Sequence, residues 1–149
     1  MTSPYRPSQQ FEPPPSAPTT ASGLSIPGIV IWALGLFLLT VMASSVITAL
    51  GFTSLGLTAQ DVTQPMGLFR LTQLIACGVL ESLVFAWVGT RAHSRPARDI
   101  TAVLVAYLIL GTSISALFLD VSLLQDAIEG WLPALVSAAL GYAIARRLA

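Results

Sequence analysis

Residues 28–50 run for 23 positions without one charged side chain. At about 1.5 Å per residue, a helix of that length reaches roughly 35 Å, enough for a hydrocarbon core of about 30 Å. Lipid offers no hydrogen-bond partner, so the backbone of such a run must satisfy itself, which a helix does. Two similar runs follow, at 71–90, which holds Glu81, and at 100–119, which is uncharged. A fourth and weaker run covers 129–146, with its apolar part at 131–145 and Pro133 in the first turn, where proline is tolerated. Its short length suits a start nearer Ala127, little tilt, or a locally thin bilayer.

Composition agrees with that reading. Only 9% of the chain is charged, against about 25% in soluble domains. The expected fold class is therefore all-α, an integral-membrane four-helix transmembrane bundle over residues 28–149. A cleaved signal peptide fits poorly, because the first run is too long and only Arg6 precedes it. Residues 1–27 hold seven of the ten prolines among Ser, Thr and Gln. That composition buries too little apolar surface to offset chain entropy, so a disordered Pro-rich tail is expected. The P-x-x-P spacings at Pro4–Pro7 and Pro15–Pro18 are ordinary in such a tail.

The charges orient the bundle. Arg91, Arg95 and Arg98 stand between the second and third spans, and Arg146 and Arg147 close the fourth. The other connections carry Asp61, Asp120, Asp126 and Glu129, with Arg70 the one dissenter. The positive-inside rule then puts both termini in the cytoplasm of a cell membrane. Trp32 and Trp87 fall near inner ends and Trp131 near an outer end, as interfacial anchors do. The arginines read as topology determinants that also suit anionic lipid heads. All seven basic residues are Arg and none is Lys, the codon usage of a GC-rich bacterial genome.

Several functions are disfavoured. The net charge is zero, so no basic surface suggests nucleic acid. One cysteine, Cys77, and one histidine, His93, cannot build a Cys-based metal site or a bis-His haem. No G-x-S-x-G, H-E-x-x-H, Walker or GxGxxG motif occurs. No enzyme, cofactor or metal is expected.

Small residues mark where helices approach in lipid, since apolar burial does not drive association there. Ala134, Ser137, Ala138, Gly141 and Ala145 share one face of the fourth span, with Ser137, Gly141 and Ala145 in a row. Ala102, Ala106, Ser113 and Ala116 share a face of the third, and Gly67, Gly78 and Gly89 nearly stack along the second. A tight bundle follows. Residues 119–131 repeat Leu124, Ile128 and Trp131 at helical spacing, which fits a short interfacial helix or the start of the fourth span equally well.

Glu81 is the chemically pointed residue. It lies near mid-span on a stripe with Arg70, Gln73 and Cys77. A charge facing lipid costs about 2.5–3.5 kcal/mol on insertion scales, so the stripe should face the bundle. Depth counting offers Glu81 hydroxyls from Thr40 or Ser44, Thr112, Ser113 and Ser137. With no basic residue among them, a neutral carboxyl held by hydroxyls is expected. Three roles are open: a hydrogen-bonded anchor, a site for a partner subunit, or a carrier of protons or cations. Four short spans and one membrane carboxylate resemble the small multidrug exporters in outline, which would imply proton-coupled transport. That family carries its acid in the first helix, whereas Glu81 is in the second with only Phe85 and Trp87 as following aromatics, so no membership is claimed. The leading expectation is a non-enzymatic accessory or stabilising subunit of a larger membrane assembly such as a transporter. The alternative is a small proton-coupled transporter acting as a homo-oligomer through Glu81. The expected partners are the bilayer and other membrane subunits or further copies of the chain.

Overall fold

Ser25 starts the first helix: its hydroxyl accepts from the Gly28 N–H at 3.4 Å, and Pro27 follows in the first turn. The computed structural model describes residues 23–63, 67–92, 95–118 and 127–148. Helix α1 is Ile26–Ser54, α2 is the short Ala59–Thr63, α3 is Leu68–Arg91 and α4 is Pro96–Phe118. A π-helical turn, Ala127–Trp131, leads directly into α5, Leu132–Leu148. Four of these segments are long and apolar enough to cross a membrane, and the chain is a multi-pass membrane protein in form.

All four spans depart from the expected bounds, with α1 and α3 overrunning 28–50 and 71–90 at both ends; three differences have a structural reason. The expected tail reaches residue 27, yet Leu24 to Pro27 are already engaged. The Leu24 N–H donates to Asp99 Oδ2 at 3.1 Å, and Asp99 is only 2% exposed. A Cβ on Gly23 would stand 3.0 Å from Asp99 Oδ1, so a glycine suits this close pass. Residues 1–22 lie outside the described residues. The third span starts at Pro96 rather than 100, because proline opens a helix well and nothing breaks the first turn. The fourth starts with the π turn, so the part of 119–131 that is described belongs to the span rather than to a separate interfacial helix. Residues 119–126 lie outside the described residues.

The spans alternate in direction. Leu24 beside Asp99 and Gly89 beside Ala145 bring the starts of α1 and α4 and the ends of α3 and α5 to one end. Arg91, Arg95, Arg98, Arg146 and Arg147 are exposed there, with Arg91 stacked over Trp87 at 5.3 Å and Arg146 over Tyr142 at 6.0 Å. Asp61, Arg70 and Glu129 belong to the opposite end. There Thr58 and Asp61 form a capping box on α2. Both the backbone N–H of Thr58, at 2.8 Å, and its hydroxyl, at 2.6 Å, donate to Asp61 Oδ2.

Helix α3 touches all three other spans, and its contact with α5 is the most extensive. Small residues explain why. A Cβ on Gly141 would meet Phe85 Cβ at 2.5 Å and the Ser82 carbonyl oxygen at 2.8 Å. One on Gly89 would meet Ala145 Cβ at 2.7 Å, and one on Gly78 would lie 3.4 Å from the Ser137 hydroxyl oxygen. The packing residues expected from sequence, Gly78, Ser137, Gly141 and Ala145, thus sit in one interface. The third-span row is different. Ala102 and Ala106 are half-buried, Ser113 and Ala116 are exposed, and α4 instead buries Ile100, Val103 and Leu104. That small-residue row is thus only partly covered, and the buried positions of α4 fall to the larger aliphatics.

Replacing Gly141 with Ala forces atoms into backbone that cannot yield. Overpacking of this kind costs about 1–3 kcal/mol. Gly141→Ala is expected to lower the thermal midpoint of the detergent-purified protein. Gly111→Ala, with nothing within 4 Å of the added Cβ, should not lower it, and the better helix propensity of Ala favours a slight rise. At Asp61 the two Thr58 donors hold the carboxyl below the usual carboxylate range. The stability that this adds is present above the unfolded value of about 3.9 and fades as pH falls through the lower folded one. An NMR titration should show the Asp61 value rising towards normal in Thr58→Ala.

Candidate functional site

The α3 stripe enters a polar cavity of about 160 Å³ between α1, α3, α4 and the π turn. Arg70, Gln73, Cys77 and Glu81 all line it, as their shared helical face requires. Thr40 and Ser44 line it from α1, Tyr107 from α4, and Glu129, Gly130 and Pro133 from the fourth span.

Arg70 lies at the end of the cavity away from the arginine-rich face. Its Nη2 donates to Glu129 Oε2 at 2.7 Å, and its Nη1 donates to Gln73 Oε1 at 3.3 Å. Both partners of the ion pair are somewhat over one-third exposed on their side chains, so the pair adds at most about 1 kcal/mol. Gln73 is buried, and its amide donates to the Ser44 hydroxyl, the Ser44 carbonyl at 3.4 Å and Thr48 Oγ1 at 3.5 Å. One chain of hydrogen bonds therefore ties the π turn to α3 and α3 to α1.

Glu81 occupies the inner end and is 5% exposed. The Tyr107 hydroxyl donates to its Oε1 at 2.8 Å. Oε2 is buried without a hydrogen-bond partner among the described residues. The Thr40 and Ser137 hydroxyls face the same carboxyl. Thr40 donates its proton to the Leu36 carbonyl at 2.9 Å, and neither hydroxyl closes a hydrogen bond of ordinary geometry on Oε2.

The expected hydroxyl set is thus partly right. Thr40 and Ser137 surround Glu81, while Ser44 serves Gln73 instead. Thr112 does not join: it accepts from Trp131 Nε1 at 2.9 Å, outside the cavity lining. Ser113 donates to the carbonyl of Ile109 in its own helix. The reason is depth. Counted from the α3–α4 connection, Glu81 lies ten residues before Arg91, and Tyr107 lies eleven after Pro96. Thr112 is five residues further along, or about 7.5 Å. Tyr107 was missed because only Ser and Thr were counted; the same depth count from Pro96 finds it. Asp99 was missed as a structural partner because its mate is a backbone amide, which leaves no side-chain signal.

Chemically, the inner end is rich in acceptors: a carboxyl oxygen, two hydroxyls and a phenol oxygen. No group of three or more His, Cys, Asp or Glu side chains suited to a metal occurs among the described residues. The chain matches no protein-family model, no curated protein and no solved structure.

Tyr107→Phe removes the donor that holds Glu81 while keeping the ring. Losing a partner of a buried polar group costs about 1–3 kcal/mol. Denaturation in detergent should show that loss for Tyr107→Phe, whereas Ser113→Ala, on an exposed site, should leave stability unchanged.

Proposed function

We propose that this chain is a non-enzymatic membrane transport protein in which Glu81 binds and releases a proton. One observation carries this reading: Glu81 Oε2 is buried and unpartnered at a polar cavity. A carboxyl kept only to fix helix register has every reason to satisfy both oxygens, since an unmade bond to a buried polar atom is costly. Ionisable groups inside a membrane commonly mark ion pathways or proton relays. Access through the cavity lets the carboxyl exchange its proton.

In this proposal the arginine-rich end faces the cytoplasm of a bacterial cell and the Arg70–Glu129 end faces out, supported by the five exposed arginines. The protein works as an oligomer, with itself or with other subunits. A second reading, an accessory subunit of a larger complex, is favoured by an apolar groove of about 520 Å³ between α3 and α5, bordered by Gly78, Ser82 and Ser137. Such small-residue borders admit a neighbouring helix.

The test uses oriented protein in sealed vesicles and infrared difference spectra against Glu81→Gln. A pH step on the Arg70–Glu129 side should change the Glu81 carboxyl band. A band insensitive to pH on either side makes Glu81 a structural anchor and overturns the reading. Purification in mild detergent addresses the second: a stoichiometric foreign membrane protein, lost when Val136→Trp fills the groove from its exposed side, would favour the accessory role.

A further inference from the structure

The size and donor–acceptor balance of the Glu81 cavity say what else it can take. We infer that it is a binding site for a small protonated amine, entering past the Arg70–Glu129 pair and held by Glu81; this rests on the exchange reading above.

Size sets the first limit. A cavity of about 150 Å³ admits benzene, whereas drug-sized ligands need roughly 300 Å³ or more. At about 160 Å³, this one suits a ligand of about six non-hydrogen atoms. Hydrogen bonding sets the second. Tyr107 has already given its proton to Glu81, and Thr40 has given its proton to Leu36. Each keeps lone pairs, and Glu81 Oε2 has no donor. Once Glu81 has lost its proton, the inner end offers mainly acceptors, with the Ser137 hydroxyl also facing the carboxyl, and calls for a ligand that chiefly donates N–H bonds. An ammonium group does so; an anion or a carbonyl compound does not.

Charge sets the third. The groups facing Glu81 are neutral from α1 (Thr40) and from α5 (Ser137), and α4 contributes the Tyr107 phenol. On α3 itself stand Cys77 and Arg70, and Arg70 is paired with Glu129 of the π turn. Glu81 is thus the one carboxyl at the inner end among the described residues. Binding is an exchange: the neutral acid and the ammonium give an ammonium–carboxylate pair, and one proton leaves to solvent. Affinity then falls about tenfold for each unit of pH lowered, because one proton is released per ligand bound.

The Arg70–Glu129 pair spans the route in. While Arg70 is tied to Glu129 and to Gln73, its guanidinium presents a cation at the mouth. Entry needs that tie to open, and removing it should speed entry without changing what binds.

The experiment is a titration of the purified full chain in nanodiscs with methylammonium, and separately with tetraethylammonium. Binding is read by the Glu81 infrared band and by proton release into weakly buffered solution. Methylammonium is expected to bind saturably with one proton released, and tetraethylammonium not to bind. Glu81→Gln should weaken binding by about tenfold to a hundredfold. Glu129→Gln should raise the association rate while Glu81 still responds. Circular dichroism and elution volume establish that each variant is folded. No methylammonium effect, or a larger one from tetraethylammonium, overturns the amine site. If the Glu81 band still follows pH in that case, proton exchange stands and only the ligand class falls. If methylammonium binds but no proton is released, the amine fits and the exchange reading fails.

Discussion

The bundle depends on how closely α3 and α5 approach. Lipid tails are as apolar as leucine, so helices in a membrane gain from contact and hydrogen bonding rather than from leaving water. Contact requires backbones to come near each other, and Gly141 against Phe85 and the Ser82 carbonyl is where they do. Gly89 admits Ala145 and Ile100 towards the arginine-rich end, and Gly78 runs beside Ser137 further along. With α5 seated in this way, its leading π turn carries Glu129 over Arg70. The same seating places Ser137 beside Glu81. Helix α1, by contrast, buries little of itself, and its large aliphatic residues such as Ile31 and Met42 remain exposed on the lipid side.

A polar network lies within this apolar frame. It runs from Glu129 through Arg70 and Gln73 to Ser44 and Thr48, and separately from Tyr107 to Glu81. Buried polar groups that are fully satisfied specify one arrangement of helices; an unsatisfied one costs stability. The network is satisfied at Gln73 and unsatisfied at Glu81 Oε2. Stability alone would favour the reverse or an apolar residue. That contrast separates the two acids near mid-chain. Asp99 accepts the Leu24 amide and fastens the start of α1, a structural task. Glu81 leaves an acceptor open beside a cavity, which is a binding arrangement.

Much of this was legible in residue spacing. Arg70, Gln73, Cys77 and Glu81 fall on one helical face, and all four line the cavity. Ser137, Gly141 and Ala145 recur every fourth position, and they meet Gly78, Phe85 and Gly89. The same spacing rule failed for Ala102, Ala106, Ser113 and Ala116. A row of small residues shows which backbone can be approached, but whether anything approaches depends on the volumes opposite. On α4 the buried positions are Ile100, Val103 and Leu104, and the small row is only partly covered. Partner assignment across helices failed by depth for Thr112. A start four residues early for the third span was enough to replace it with Tyr107.

What the sequence by itself determined is the number of spans, the helical class, the polar face of α3 and the glycines of its closest interface. Those follow from length, apolar runs and the period of the helix, all of which are local. Only the tertiary structure decided that Tyr107 meets Glu81, that Glu129 reaches Arg70 across 59 positions, and that Asp99 holds Leu24. These contacts depend on the relative depth and rotation of separate helices. Depth and rotation are set by how side-chain volumes interlock between them, and no single stretch of sequence carries that.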